Sequence, residues 1–390
     1  MLSPINTGFI STYPPMDCGI GIYTQKLAHA MLQAGSGSRI RIFAPRGAGN
    51  IKENAIEVSA CFSRKGDYAD SLAGAVRESG IRLVHVQQGF EGLVEGRRME
   101  NLVTKLHDEG IIVVVTLHTV YGHGWHRILF MRRPNVFFHR ELADHAHIVV
   151  HNGSSARSLI RQGVKKDRIT VIAHGTTLIE KVPKEKARRD LGLPDDGFVF
   201  LVFGFIHAQK NLLTIAEAFK RAAGINPDIR LVVAGSPGGG HVYNRAYAAL
   251  VRKKLEPEIS GGRVFWHQKF ISDDAVPLYY SASDVVLLPH AFQLYDSVSG
   301  VFHQAMGAEK PVICALSSKF REVMEHVGEV NGIFIKSMDT EGWSRAMLRM
   351  AGDEAFRESV RDSLVDFAQK TAWTEVAQSH YRLYRSLIDG

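Results

Sequence analysis

The sequence predicts an α/β protein made of two doubly wound parallel sheets. Three observations carry that expectation. Short runs rich in Val, Ile, Leu and Phe alternate with helix-length segments, the pattern of right-handed βαβ units. The alternation stops in residues 176–196, a mostly polar stretch holding Lys181-Val-Pro-Lys-Glu-Lys-Ala-Arg-Arg189 and Pro194, and then resumes. The chain has 390 residues, long for one domain and comfortable for two. The domains expected are 1–178 and 179–372, with an amphipathic helix at about 373–390 crossing back to the first.

In the first domain, Gly8-Phe-Ile-Ser-Thr12 reads as a strand and Cys18-Gly-Ile-Gly21 as the turn into a helix near 22–34. Strands follow at Arg39-Ile-Arg-Ile-Phe-Ala44, Leu83-Val-His-Val-Gln87, Ile111-Ile-Val-Val-Val-Thr-Leu117, His147-Ile-Val-Val150 and Ile169-Thr-Val-Ile172. Helices near 68–79, 97–109 and 154–162 lie between them. The second series has strands near 198–203, 229–234, 264–266, 285–288, 312–314 and 332–335, again with helices between.

Composition excludes several classes. Forty-five per cent hydrophobic and 22% charged residues are ordinary for a soluble globular protein. The longest apolar run, Phe198-Val-Phe-Leu-Val-Phe-Gly-Phe-Ile206, falls well short of the roughly 20 residues that span a bilayer. Met1-Leu-Ser-Pro lacks a basic then apolar leader, so a secretory signal is not expected and a cytoplasmic location is. Cys18, Cys61 and Cys314 have neither metal nor redox spacing, as isolated reduced thiols would. A net charge of +7 suits anionic small molecules, an anionic membrane or nucleic acid. No nucleic-acid module or general basic stripe appears, so nucleic acid is not an expected partner.

In open parallel sheets, ligands sit at the carboxyl ends of the strands. That rule nominates 18–21, 87–89, His118, 204–210, 235–240 and 296–300. Asp296-Ser-Val-Ser-Gly-Val-Phe-His-Gln304 reads as a loop entering a helix between two strands. Ser297 or Ser299 can cap that helix, and its first N–H groups suit a phosphate. The bland reading is an ordinary capped helix. Lys210, in Gly204-Phe-Ile-His-Ala-Gln-Lys210, is placed to neutralise a leaving diphosphate, with His207 as a second donor, or else is a solvated lysine. His118, ending Thr116-Leu-His118, can meet a substrate, although any one of 18 histidines can equally be structural. Cys18-Gly-Ile-Gly21 is neither a G-x-G-x-x-G fingerprint nor a P-loop. The segment 124–140 holds four arginines and no acid among aromatic and aliphatic residues, with Trp125, Arg127, Arg132 and Arg133 at its heart. That is the composition of a membrane-surface patch, or of a helix packing its apolar side on the sheet.

Taken in order, these stretches resemble the retaining, nucleotide-sugar-dependent glycosyltransferases of family 4, which have the two-domain GT-B architecture. Ile10-Ser-Thr-Tyr-Pro-Pro-Met-Asp-Cys-Gly-Ile-Gly21, Val84-His-Val-Gln-Gln-Gly-Phe-Glu-Gly92, Val171-Ile-Ala-His-Gly175, Phe203-Gly-Phe-Ile-His-Ala-Gln-Lys-Asn211 and Leu231-Val-Val-Ala-Gly-Ser236 carry the likeness. So do Tyr280-Ser-Ala-Ser-Asp-Val-Val-Leu-Leu-Pro289 and Ala305-Met-Gly-Ala-Glu-Lys-Pro-Val-Ile313. The resemblance implies two Rossmann-like domains facing a central cleft, the second holding the nucleotide sugar. Lys210, His207 and the helix start at Ser299, Gly300 and Val301 would bind the donor diphosphate. Gln304 would meet the ribose and Asp296 the donor sugar. His118 and the loop of Gly19, Ile20 and Gly21 would reach in from the first domain. His118, Asp296 and Lys210 would be the catalytic set, working with retention and without metal or other cofactor, the nucleotide sugar being a substrate. Base contacts are expected near 267–271.

The sequence departs from the family pattern at several of these places. Both glutamates of its E-x7-E motif are replaced, by Asp296 and Gln304. The usual arginine after Gly204 is Phe205, and the usual glycine before the 311–313 strand is Glu309. The resulting expectation is a glycosyltransferase of polysaccharide or glycoconjugate biosynthesis, acting on a glycan or lipid-linked acceptor. It would be cytoplasmic, with the 124–140 segment at the inner face of an anionic membrane. The alternative is a catalytically silent GT-B partner subunit that binds a nucleotide or glycan. A GT-B epimerase or hydrolase has no evident carboxylate set.

Overall fold

The computed structural model describes residues 4–390 apart from 17, 36, 64–66, 90–96, 122–138, 239–241, 292–294 and 328–331. The chain forms two compact units. The first comprises 1–175, 294–298 and 371–390; the second comprises 176–293 and 299–370.

The first unit runs β1 (Thr7–Ile10), α1 (Gly19–Ala34), β2 (Ile40–Pro45), β3 (Ile51–Glu53), β4 (Ile56–Phe62), α2 (Ala69–Glu78) and β5 (Leu83–Gln88). It continues with α3 (Arg97–Asp108), β6 (Ile112–Leu117), β7 (Thr119–Tyr121), α4 (His139–His145), β8 (His147–Val150), α5 (Gly153–Arg161) and β9 (Ile169–Val171). The sheet order is β3-β4-β2-β1-β5-β6-β8-β9, parallel except for the β3–β4 hairpin. Both faces are covered, so the strands read as continuous apolar runs. Side chains still alternate between two cores: Phe9, Ile42 and Leu83 join one, Ile10, Phe43, Val84 and Val86 the other. The sequence reading lacks the hairpin, which turns through Asn54 at φ 51°, because its strands carry too few β-branched residues to stand out.

The second unit holds α6 (Lys184–Leu191), β10 (Phe198–Phe203), α7 (Leu212–Ile225), β11 (Ile229–Ala234), α8 (Val242–Lys254), α9 (Glu256–Ser260), β12 (Val264–His267), α10 (Val276–Ala282) and β13 (Val285–Leu288). The chain then contributes β14 (Tyr295–Ser297) to the first unit. The second resumes with α11 (Gly300–Gly307), β15 (Val312–Ala315), α12 (Arg321–Val327), β16 (Phe334–Ile335), α13 (Thr340–Gly352) and α14 (Glu354–Lys370). Its sheet, β12-β11-β10-β13-β15-β16, is wholly parallel.

Three details differ from the sequence reading. Asp296 does not lie in a loop: β14 pairs antiparallel with β7, placing Asp296 opposite Val120. Residues 176–178 pack with the second unit, since the Thr176 hydroxyl meets His303 at 2.7 Å and Ile179 N–H donates to the Gly307 carbonyl. The charged run 181–189 is not mere linker. Buried Arg188 of α6 donates to the carbonyls of Ala282, Asp195 and Gly197 and pairs with Asp284 at 3.1 Å.

The final helix, α15 (Trp373–Asp389), belongs to the first unit. Its Tyr381 hydroxyl bonds Ser38 and the Met31 carbonyl, and its Tyr384 hydroxyl meets His85. Among the described residues no helix is long and apolar enough to cross a membrane.

Candidate functional site

The most organised site in the second unit surrounds Gly204, just past β10. Its φ of +88° belongs to the left-handed region. A Cβ there would lie 3.1 Å from the Lys210 ammonium and 3.1 Å from Val301 of α11. The glycine therefore lets a lysine and a helix start approach the same point. Ser299 caps α11 by accepting the Phe302 N–H at 3.3 Å. The N–H groups of Gly300 and Val301, ahead of it, have no partner within the helix, and with the helix dipole they favour an anion.

Lys210 ends a short turn (Ala208–Lys210), and its ammonium donates back to the Phe203 carbonyl. It is only 8% exposed. Burial first, then the charge of Lys319, pushes its pKa down to about 7. Burial takes Lys319 itself down to about 8. His207 is pushed down to about 3 by burial and then by these two lysines, so it offers hydrogen bonds and no charge. Ammonium groups on the turns after β10 and β15, one buried and one partly buried, form a site that suits an anion. Lys319 escaped the sequence reading because Ser-Ser-Lys looks like any polar turn. Its one signal was its place just after a buried strand.

Gln304 lies about one turn into α11, and its side-chain oxygen accepts from the Tyr280 hydroxyl at 3.2 Å. Asp296 lies in the first unit, where Ser154 of α5 donates to its carboxylate at 3.1 Å. The eight-residue spacing thus joins residues of different units, not two positions on one helix. Phe205 packs by Gly238, and Phe270, after β12, is 48% exposed.

In the first unit α1 begins at Gly19, so Gly19, Ile20 and Gly21 form its first turn and not a loop; buried Cys18 is its N-cap residue with no capping side-chain bond, the Thr12 hydroxyl donating to its sulfur. A Cβ on Gly21 would press on the Thr12–Tyr13 backbone at 3.2–3.3 Å, so the chain's own packing accounts for a glycine there. Gly19 borders open space, and Ile20 packs its side chain on Gly89.

His118 follows β6, stacked edge-on against Tyr23 at 4.7 Å. Its protonation can be worked out from its neighbours. His151 Nδ1 lies 3.0 Å from the Ile172 carbonyl, which only accepts, so that nitrogen carries the hydrogen. In a neutral ring His151 Nε2 then accepts the Nδ1–H of His118 at 3.1 Å. His118 Nε2 is left as an acceptor, 2.8 Å from the Gln87 side-chain amide. The Gln87 amide nitrogen is buried and otherwise lacks a partner, so the amide turned to present its N–H satisfies both groups. Burial, then His151, holds the His118 pKa well below the usual histidine range, consistent with neutral rings.

Trp125, Arg127, Arg132 and Arg133 lie outside the described residues. Among the described residues no three His, Cys, Asp or Glu side chains gather as metal ligands would.

Two Rossmann-like units, one carrying a lysine-and-helix cradle at its strand ends, define a two-domain α/β protein. Residues 18–178 match the family model described as Glycosyltransferase Family 4, and residues 183–369 the model described as Glycosyl transferases group 1. The chain belongs to the family-4 glycosyltransferases. It is 27% identical over 206 residues to an uncharacterised glycosyltransferase of Methanocaldococcus jannaschii, covering 52% of this chain and 48% of that protein. The match thus spans about half the length of that relative. In structure it is similar to sucrose-phosphate synthase from Thermosynechococcus elongatus, with TM-score 0.78, 18% identity and 99% of each chain covered. It is also similar to Anabaena HepE in complex with UDP, with TM-score 0.73, 16% identity, and 98% of this chain and 100% of that one covered. These likenesses show the GT-B fold.

Proposed function

We propose that the protein transfers a sugar from a nucleotide-sugar donor to a glycan or lipid-linked acceptor, with retention of anomeric configuration. The observation that carries this reading is the cradle around Gly204, where the Lys210 ammonium and the first turn of α11 converge. Breaking the bond from sugar to diphosphate leaves negative charge on the leaving oxygens. Lys210, with the Gly300 and Val301 N–H groups, is matched to that charge and needs no metal for it. Gln304, oriented by Tyr280, is assigned to the ribose, and exposed Phe270 to stacking against the base. Of the first unit's residues, the family pattern assigns Asp296 and His118 to the sugar. Ser154 orients the Asp296 carboxylate, and His151 and Gln87 fix the imidazole as neutral.

The test is a melting-temperature screen with UDP, GDP and ADP and their common sugar conjugates. UDP comes first because the HepE neighbour is complexed with it. One base should raise the melting temperature in a concentration-dependent way. Its sugar conjugate should then turn over in EDTA, with the product anomer matching the donor by NMR. No shift with any nucleotide would sink the reading. Loss of turnover in EDTA would sink its metal-independent part.

A further inference from the structure

Three adjacent strands of the second sheet, β10, β13 and β15, deliver their following turns to one place. After β10 come His207 and Lys210; after β13 comes His290; after β15 comes the turn Ser318–Phe320, which carries Lys319. The first two turns are tied together: Ala291 N–H donates to the Gln209 carbonyl at 2.8 Å, and His290 Nδ1 meets the same oxygen at 3.2 Å. Rings link the third turn to them. Phe320 lies 5.6 Å from His290, and His290 lies 6.3 Å from His207. Phe320 also packs 6.4 Å from Phe302, in the first turn of α11. Ser317 anchors the turn by accepting the Lys319 N–H at 3.2 Å.

We propose that Lys319 is a second cationic contact for the donor diphosphate, supplied from the end of β15 in place of the arginine that this family carries where Phe205 stands. The proposal rests on the donor reading above and adds a residue to it. The charge of Lys319 reaches the cradle, since it depresses the pKa of Lys210, His207 and His290. Position 205 cannot supply that charge: its side chain is a phenyl ring packed by Gly238. His207, the other candidate nearby, is neutral. A diphosphate carries more charge than Lys210 alone balances, and an ammonium entering from the end of β15, one strand beyond β13, meets that need. Glu322 favours the charged form of Lys319, and its Oε1 also meets His303 Nε2 at 3.1 Å.

The experiment compares a nucleoside diphosphate with its nucleoside by calorimetry, using whichever of UDP, GDP and ADP binds the unmodified protein. Lys319→Met should weaken the diphosphate about tenfold and leave the nucleoside unchanged. Lys319→Arg should keep most of the affinity, and Phe205→Arg added to Lys319→Met should restore part of what was lost. Diphosphate affinity unchanged in Lys319→Met overturns the proposal. So does an equal loss for nucleoside and diphosphate, which would mark a structural role. Should Lys319→Met not fold, Lys319→Gln takes its place, with the same outcomes read. If the unmodified protein binds diphosphate no more tightly than nucleoside, the donor reading itself fails, whatever Lys319 does.

Discussion

At the carboxyl end of the first sheet the buried titratable side chains are neutral and hydrogen-bonded to one another. At the same end of the second sheet they include lysines. His118 and His151 bond to each other, and through their remaining ring nitrogens to Gln87 and the Ile172 carbonyl. Burial pushes the Lys210 ammonium down to about 7 and that of Lys319 down to about 8. One fold thus gives two kinds of strand-end chemistry. Neutral imidazoles suit uncharged hydroxyls; strained ammonium groups suit an anion that relieves them. The difference lies in the turn residues after each strand, because the strands themselves are almost uniformly apolar.

The largest expected effect is at Lys210. Lys210→Ala should weaken nucleoside-diphosphate binding tenfold or more, about 1.5–3 kcal/mol, the range for hydrogen bonds to charged groups. Unchanged affinity in a calorimetric titration would remove Lys210 from the site and dissolve the contrast.

The second effect is on pH. In the unliganded protein Lys210 and Lys319 lose protons at about 7 and about 8, below their ordinary 10.5. The unfolded chain binds more protons in that window, so the unliganded protein gains stability as pH rises through it. A bound diphosphate raises both pKa values back. Binding near pH 8 should therefore take up protons, and affinity should fall as pH rises above about 7. Titrations in two buffers of different ionisation heat read the uptake directly, and a zero difference would count against two depressed lysines. His85 and His118 act at the other end of the scale. Held below their ordinary 6.5, they are neutral when folded and charged when unfolded in acid, so acidification below that value removes stability.

A smaller change is expected at His151. In His151→Ala, His118 loses the acceptor for its Nδ1–H and a neighbour that lowers its pKa. Its ring should then populate both tautomers and titrate at higher pH, visible in the ring-nitrogen correlations of ¹⁵N-labelled protein. A His118 signal identical to that of the unmodified protein would break the relay.

The smallest is at Glu309. It sits just past α11 with φ 53°, its N–H on the Met306 carbonyl and the Lys310 N–H on the Ala305 carbonyl, the pattern of a Schellman helix end. That position favours glycine, which is what the family pattern has there. Glu309→Gly should add about 1 kcal/mol of stability, less the small value of the exposed Lys181 pair, read as a higher urea midpoint with an unchanged slope.

By itself the sequence determined most of the parallel strands, because a strand buried on both faces must be a continuous apolar run, but not β3, β4, β7 or β14. 198–203, 229–234 and 285–288 were legible to the residue. It also determined that Ser299 or a near neighbour would cap a helix and that Lys210 would lie at a strand end. Motif order made the family legible as well. Other features depend on distant partners and were decided only by the tertiary structure. Asp296 became a strand residue because β7, far back in the chain, supplies its hydrogen bonds. Most of the charged 181–189 run joined helix α6 (Lys184–Leu191), whose Arg188 is taken by Asp284 and a row of carbonyls. The tautomer of His118 follows from a carbonyl at Ile172 and an amide at Gln87, and the role of Lys319 from its neighbours on adjacent strands. Local pattern reports which face a residue buries; it carries no record of what the facing element brings, and charge and protonation are set there.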